Sequence, residues 1–317
     1  MAETPHYNIV FLDRATLGVP LRKPNFPHSY KEYEETVADQ VVERLADADI
    51  AVINKVPLRA ASLEKLPKLK LIAVAATGTD VVDKAYCKAH NIPVSNIRNY
   101  ADNTVPEHTL ALIFALRRNL LPYVADVRRG KWQTINQFCY FDHPIHDISG
   151  STLGLIGYGA LGKSVGARAQ ALGMKVIATD VYDFPGKVDL DTILRESDVI
   201  SLHCPLTDQT RNIIGAAELK KMKKDAILIN TARGGLVEEK ALAEALKSGE
   251  IAGAGFDVLT VEPPKNGNVL LDVDLPNLLI TPHVAWASVE AMTGLSNQLV
   301  DNIEAWVAGK PRNLVLE

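Results

Sequence analysis

A glycine triplet, an acid 18 residues beyond it, and an arginine, a carboxylate and a histidine in the last third of the chain are the residues with types and spacing suited to chemistry. Gly157, Gly159 and Gly162 form G-Y-G-A-L-G, directly after the apolar run 153–156 and directly before a helical run over 161–172. In that setting Gly157 permits a tight turn, Gly159 lets the backbone approach a pyrophosphate, and Gly162 allows a helix to pack close to a strand. The N–H groups at the helix start then face the phosphates. Asp180 ends the next apolar run, where a carboxylate accepts both ribose hydroxyls and repels the extra phosphate of NADP. No arginine follows it before Arg195, so NAD is the expected cofactor.

Arg233 in N-T-A-R-G-G, Glu262 five residues after Asp257, and His283 in T-P-H follow the apolar runs 226–231, 252–256 and 278–281. In a doubly wound sheet, residues outside the carboxyl ends of different strands converge. A cation, a carboxylate and an imidazole gathered there suit hydride transfer to a 2-oxo acid. The arginine clamps the anion, the histidine delivers a proton to the oxygen, and the glutamate orients and charges the histidine. Taken singly, Arg233 could be a cap, Glu262 a solvated acid before Pro263 and Pro264, and His283 a turn residue; their joint placement favours a site. His203 and His108 are rival imidazoles, but strand placement gives neither both an arginine and an acid as neighbours.

Short apolar runs alternate with amphipathic stretches along the chain, which predicts an α/β protein with parallel sheets. Strands are expected at 8–12, 50–54, 70–75 and 92–96, with helical segments near 30–45 and 80–90, then a helical stretch over 103–129 broken at Pro122. Residues 130–150 lose periodicity yet hold Trp132, Phe138, Tyr140 and Phe141, an arm expected to pack on something. Six strands follow at 152–156, 175–179, 199–203, 226–231, 252–256 and 278–281, and the helical stretch 289–307 is expected to return to the first sheet. The expected organisation is a doubly wound parallel-sheet Rossmann domain at 101–286, carrying the connecting helices and a dimerisation arm. A smaller flavodoxin-like α/β substrate domain is expected from 1–100 with 287–317.

The 317 residues are enough for two such cores, and 47% hydrophobic with 23% charged residues is ordinary for folded soluble proteins. A net charge of −4 without a basic block argues against nucleic acid or an anionic membrane as partner. The N-terminal stretch carries Glu3 and only a short apolar run at 9–12, so no secretory segment is expected, and no run approaches a bilayer span. Cys87, Cys139 and Cys204 are an odd number without a C-x-x-C pair, which predicts no disulfide framework, no metal site and a cytoplasmic setting.

G-Y-G-A-L-G, Asp180, N-T-A-R-G-G, F-D-V-x3-E-P-P and T-P-H-V-A-W-A-S together resemble the D-isomer-specific 2-hydroxyacid dehydrogenase family over essentially the whole chain. A-D-I-A-V-I-N-K at 48–55, A-T-G-T-D at 76–80 and the Trp286 segment are most similar to members that reduce hydroxypyruvate to D-glycerate. The resemblance implies an NADH-dependent reductase of hydroxypyruvate, and of glyoxylate, that works as a homodimer. It also implies that Arg233 binds the substrate carboxylate and carbonyl, that His283 is the acid/base with Glu262 as its partner, and that backbone around Thr77 and Gly78 receives the carboxylate. Thr77 and Gly78 could equally form an ordinary strand-to-helix turn.

On the cofactor side the matching positions are Leu161, Gly162, Asp180, Cys204, Pro205, Thr210, Thr231, Ala232, Asp257, His283 and Ala285, with Thr104 near the nicotinamide. Cys204 is expected to be a packing residue rather than a nucleophile. Pro106 before Glu107, and Val289-Glu290-Ala291-Met292 where many members carry E-A-R, depart from the family pattern. Left open are a dehydrogenase of another 2-hydroxyacid and an NADH-sensing corepressor-like binding protein that keeps these motifs; Glu262 speaks against the related formate dehydrogenases, where the resemblance implies glutamine as the histidine's partner.

Overall fold

The computed structural model describes residues 5–315; Glu3 and the other ends of the expected substrate domain, 1–4 and 316–317, lie outside them. The chain divides into two compact units, Met1–Ala101 with Ala287–Glu317, and Asp102–Trp286.

The first unit is built on a parallel sheet in the order β2-β1-β3-β4-β5, from β1 (Tyr7–Phe11), β2 (His28–Glu32), β3 (Ile50–Ile53), β4 (Leu71–Val74) and β5 (Val94–Ser95). I-A-V-I and L-I-A-V are continuous apolar runs because β3 and β4 are buried along their whole length, as parallel strands covered on both faces must be. The order is that of a flavodoxin-like sheet. The helix Val289–Val307 belongs to this unit and buries Ala291, Leu295, Leu299 and Ile303, one residue per turn along one face. Ser288 caps it by accepting the Ala291 N–H at 3.1 Å, so the departure from the family pattern there leaves a well-formed helix start.

β2 corrects the expectation of helix from residue 30. H-S-Y-K-E has no apolar alternation because β2 is a mostly exposed edge strand, and helical structure begins at a 3-10 turn, Ala38–Gln40, that runs into the α-helix Val41–Leu45.

The second unit holds a six-stranded parallel sheet in the order β11-β10-β9-β8-β6-β7. Its strands are β6 (Thr152–Ile156), β7 (Lys175–Thr179), β8 (Val199–Leu202), β9 (Ile227–Asn230), β10 (Gly253–Phe256) and β11 (Leu278–Ile280). Strand order reverses between β6 and β8, so a crevice forms outside their carboxyl ends, the place where such sheets bind ligands. The helix Thr104–Arg117 packs Leu112, Ile113 and Leu116 into the same core as Leu153, Leu155, Val199 and Ile229.

Pro106 is the third residue of that helix, where the N–H has no intrahelical partner to lose, and the start at Thr104 is undisturbed. The break after this helix is not at Pro122. The chain turns at Asn119, whose φ of +47° is left-handed, and Pro122 sits in the first turn of the next helix, Leu120–Arg128. The arm beyond is partly tied by its own bonds, Trp132 Nε1 to the Phe138 carbonyl and Tyr123 Oη to the His143 carbonyl, while Phe138 and Phe141 stay 89% and 84% exposed. No helix among the described residues is long and apolar enough to cross a membrane.

Candidate active site

The glycine loop at the end of β6 is closed on two sides and open on the third. A Cβ on Gly157, at φ +98°, would lie 2.5 Å from the carbonyl carbon of His203, and one on Gly162 would lie 2.2 Å from the Gly157 oxygen. Both clashes are with backbone, so both glycines are required by the fold itself. A Cβ on Gly159 would meet nothing within 4 Å. Gly159 also caps the helix Ala160–Ala171 without any side-chain acceptor, which leaves its first N–H groups to an anion. An open position between two closed ones is what a bound pyrophosphate requires, and a dinucleotide fits here.

Asp180, just past β7, accepts the Tyr158 N–H at 2.6 Å and the Tyr182 N–H at 3.3 Å, so its carboxylate is fixed to the glycine loop. Leu161 lies half-buried in the first turn of the helix. Cys204 follows β8, and burial pushes its thiol up to about 11, which keeps it protonated and suits packing rather than attack. Thr210 Oγ1 donates to the Pro205 carbonyl at 2.7 Å and accepts the Thr207 N–H at 2.8 Å, which fixes that turn. Thr231 Oγ1 pairs with Thr109 Oγ1 at 2.9 Å, the Ala232 N–H bonds Asn230 Oδ1 at 3.1 Å, and Thr104 Oγ1 donates to the Ala285 carbonyl at 3.0 Å.

Past β10 and β11 the structure joins Glu262 to His283: Oε2 lies 2.5 Å from Nδ1, and Oε1 accepts the Leu259 N–H at 2.8 Å. A carboxylate only accepts, so Nδ1 carries the hydrogen and Nε2 is the nitrogen left for a ligand. His283 is itself left-handed at φ +55°, a conformation costing a non-glycine residue on the order of 1 kcal/mol. Asp257 holds it there. Its carbonyl accepts the His283 N–H at 2.8 Å, and its carboxylate, 1% exposed, accepts the N–H groups of Val284 at 2.9 Å and Ala285 at 2.8 Å.

Arg233 is exposed, and among the described residues its guanidinium bonds the Ala232 carbonyl, at 2.7 Å. His283 pairs with Glu262, whereas the guanidinium hydrogen bond of Arg233 is to its own loop. Gly234 beside it is a residue that sequence reasoning misses: a Cβ there would lie 1.8 Å from the Leu259 oxygen, so only glycine lets the arginine loop pass the 258–260 segment. In the first unit, Thr77 Oγ1 donates to the Ile97 carbonyl at 2.8 Å and the Thr77 carbonyl accepts from Asn96 Nδ2 at 2.8 Å, which fixes the turn past β4.

The rival histidines separate. Burial pushes the His203 imidazole down to about 4, so it is neutral near pH 7, and its Nε2 is 2.8 Å from Ser201 Oγ. His108 gains an acid as a neighbour, though not an arginine and an acid together: Nε2 lies 3.7 Å from Asp257 Oδ1 and 3.0 Å from Thr281 Oγ1. The helix Thr104–Arg117 carries it there, a tertiary approach that strand placement alone does not include. No cluster of three or more potential metal-binding side chains occurs among the described residues.

Comparison with known proteins agrees with this geometry. Residues 110–285 match the family described as "D-isomer specific 2-hydroxyacid dehydrogenase, NAD binding domain". The chain is 67% identical over 308 residues to a glycerate dehydrogenase of Methylorubrum extorquens, covering 97% of this chain and 98% of that one. It is 39% identical over 293 residues to a hydroxypyruvate reductase of Blautia hydrogenotrophica, covering 90% of each. Among solved structures, the D-lactate dehydrogenase of Aquifex aeolicus complexed with NAD and lactic acid superposes with a TM-score of 0.82 at 29% identity, covering 98% of this chain and 99% of that one. The match takes in the glycine loop, Asp180, Arg233, Glu262 and His283, and with the near-full-length identity it makes the chain a member of the D-isomer-specific 2-hydroxyacid dehydrogenase family, with an NAD-binding second unit.

Proposed function

We propose that this chain catalyses the NADH-dependent reduction of hydroxypyruvate to D-glycerate, and of glyoxylate to glycolate, with the reverse oxidations at the same residues. The observation that carries this is the Glu262–His283 pair at 2.5 Å, on the edge of the sheet that bears the glycine loop. Bound NADH supplies the hydride to the carbonyl carbon. Arg233 binds the substrate carboxylate and carbonyl, and His283 Nε2 gives its proton to the carbonyl oxygen, which becomes the hydroxyl. Glu262 keeps the ring oriented through Nδ1 and stabilises the positive charge it carries before transfer.

In oxidation the same Nε2 takes the hydroxyl proton. The backbone at Thr77 and Gly78 is proposed as a second carboxylate contact, and residues 1–100 with 287–317 as the substrate domain. The cofactor is proposed to contact Thr104, Gly157, Gly159, Leu161, Gly162, Asp180, Cys204, Pro205, Thr210, Thr231, Ala232, Asp257, His283 and Ala285. An NADH-sensing binding protein could keep the same residues, so turnover itself separates it from the enzyme. A panel of 2-oxo acids assayed with NADH tests it: kcat/KM highest for hydroxypyruvate, with glyoxylate turned over, is expected. Turnover of neither refutes it.

Cofactor choice rests on Asp180. NADH is expected to outperform NADPH by at least tenfold in kcat/KM. Asp180→Ala should weaken NADH binding by about 1.5 to 3 kcal/mol through loss of charge-assisted hydrogen bonds to the ribose, and narrow that preference. Fluorescence titration with both cofactors measures both.

A second copy of the chain is proposed to cover the Leu120–Arg128 helix and the arm. Leu120, Leu121, Val124, Val127, Trp132, Phe138 and Phe141 are all exposed there, apolar side chains that a second copy would cover. Light scattering at micromolar concentration should give twice the 34.5 kDa chain mass, and Phe138→Asp with Phe141→Asp should shift it toward the monomer. The proposed setting is the cytoplasm, in keeping with three free cysteines.

A further inference from the structure

His108 is a half-buried histidine near the site that the proposed reaction leaves unused. Its Nε2 lies 3.0 Å from Thr281 Oγ1, and that hydroxyl lies 2.5 Å from Asp257 Oδ1. Because a carboxylate only accepts, the threonine hydrogen belongs to the bond with Asp257; the hydroxyl oxygen is then the acceptor for His108, which assigns a hydrogen to Nε2. A directional chain results, from the imidazole through the hydroxyl to the carboxylate. At its far end the same carboxylate takes the N–H groups of Val284 and Ala285, and the Asp257 carbonyl takes that of His283. A carboxylate 1% exposed depends on such donors for its hydrogen bonds and its orientation. The backbone it fixes holds His283 at its left-handed φ of +55°.

We propose that His108 is a positioning residue for the proton donor. It sets the direction of the Thr281 hydroxyl, and through Asp257 it holds residues 283–285 so that the His283 ring keeps its place on Glu262. The proposal rests on His283 being the proton donor. Neither Arg233 nor the glycine loop, the proposed main holds on the substrate and on the cofactor's phosphates, takes part in this chain of bonds, whereas Asp257, His283 and Ala285 do; its loss should therefore lower kcat further than it weakens binding of substrate or NADH.

The test compares His108→Phe, His108→Gln, Thr281→Val, the His108→Phe/Thr281→Val pair and His283→Ala. Phenylalanine removes the donor and is expected to lower kcat about tenfold, with KM for hydroxypyruvate and the Kd for NADH, read by fluorescence without turnover, both within about twofold. Glutamine can donate to the same hydroxyl and should recover at least half of the wild-type kcat. Thr281→Val should lower kcat at least as far as His108→Phe, and the pair should be no slower than Thr281→Val within about twofold, because both changes cut one chain.

Wild-type kcat in His108→Phe, glutamine as damaging as phenylalanine, or losses that multiply in the pair would each overturn the proposal. If His108→Phe does not fold, an unaltered kcat in Thr281→Val overturns it just as well. His283→Ala separates the two claims. Full turnover there refutes the proton-donor assignment beneath the proposal, whereas an inactive His283→Ala beside a fully active His108→Phe refutes the positioning role alone.

Discussion

Replacing His283 by alanine is expected to lower kcat for hydroxypyruvate reduction by roughly 10²- to 10⁴-fold, the span usual for loss of a general acid. The hydride acceptor gains negative charge on its oxygen as the new C–H bond forms, and without Nε2 only water is left to protonate it. The cofactor should be bound much as before, because the glycine loop and Asp180 are held by bonds that do not include His283. Steady-state kinetics beside an NADH titration check both parts, and near-normal turnover would turn attention to another donor. Glu262→Gln, which keeps an acceptor for Nδ1 but removes the charge, should fall between the wild type and the alanine variant.

The second large effect is expected at Arg233. Its guanidinium is exposed and, among the described residues, bonds the Ala232 carbonyl through one nitrogen, so its other N–H groups face outward to a carboxylate and a carbonyl oxygen. Arg233→Ala should lower kcat/KM for hydroxypyruvate by roughly 10²- to 10³-fold, the loss of two charge-assisted hydrogen bonds at about 1.5 to 3 kcal/mol each, less what water restores. Much of the loss should appear in KM, and Arg233→Lys should recover little of it, since a single ammonium does not present the planar fork. A KM within about twofold of wild type in Arg233→Ala would show that the carboxylate is held elsewhere.

The pairing of Glu262 with His283 is legible in the amino-acid sequence, because both follow strands of one parallel sheet, and parallel sheets gather their ligands at the carboxyl edge. The glycine loop is legible for the same reason, down to which glycine stays open. Features set by tertiary approach are not. His108 reaches Thr281 and Asp257 across 173 and 149 residues of chain, and no spacing in the sequence encodes that. Gly234 reads as half of an ordinary Gly-Gly turn until the Leu259 carbonyl is found against it.

β2 escapes a reading by periodicity because an exposed edge strand carries no hydrophobic period. The helix break points to Pro122 by residue type, the stronger breaker, whereas Asn119 makes it; a proline in a first helical turn breaks nothing.

The most direct test of the central claim is the configuration of the product. Hydroxypyruvate reduced by the purified protein with NADH should yield glycerate that a chiral column resolves as the D-enantiomer alone, with one NADH consumed per glycerate formed. L-glycerate in the product, or NADH consumption without glycerate, would contradict the assignment of this chain as a D-specific hydroxypyruvate reductase.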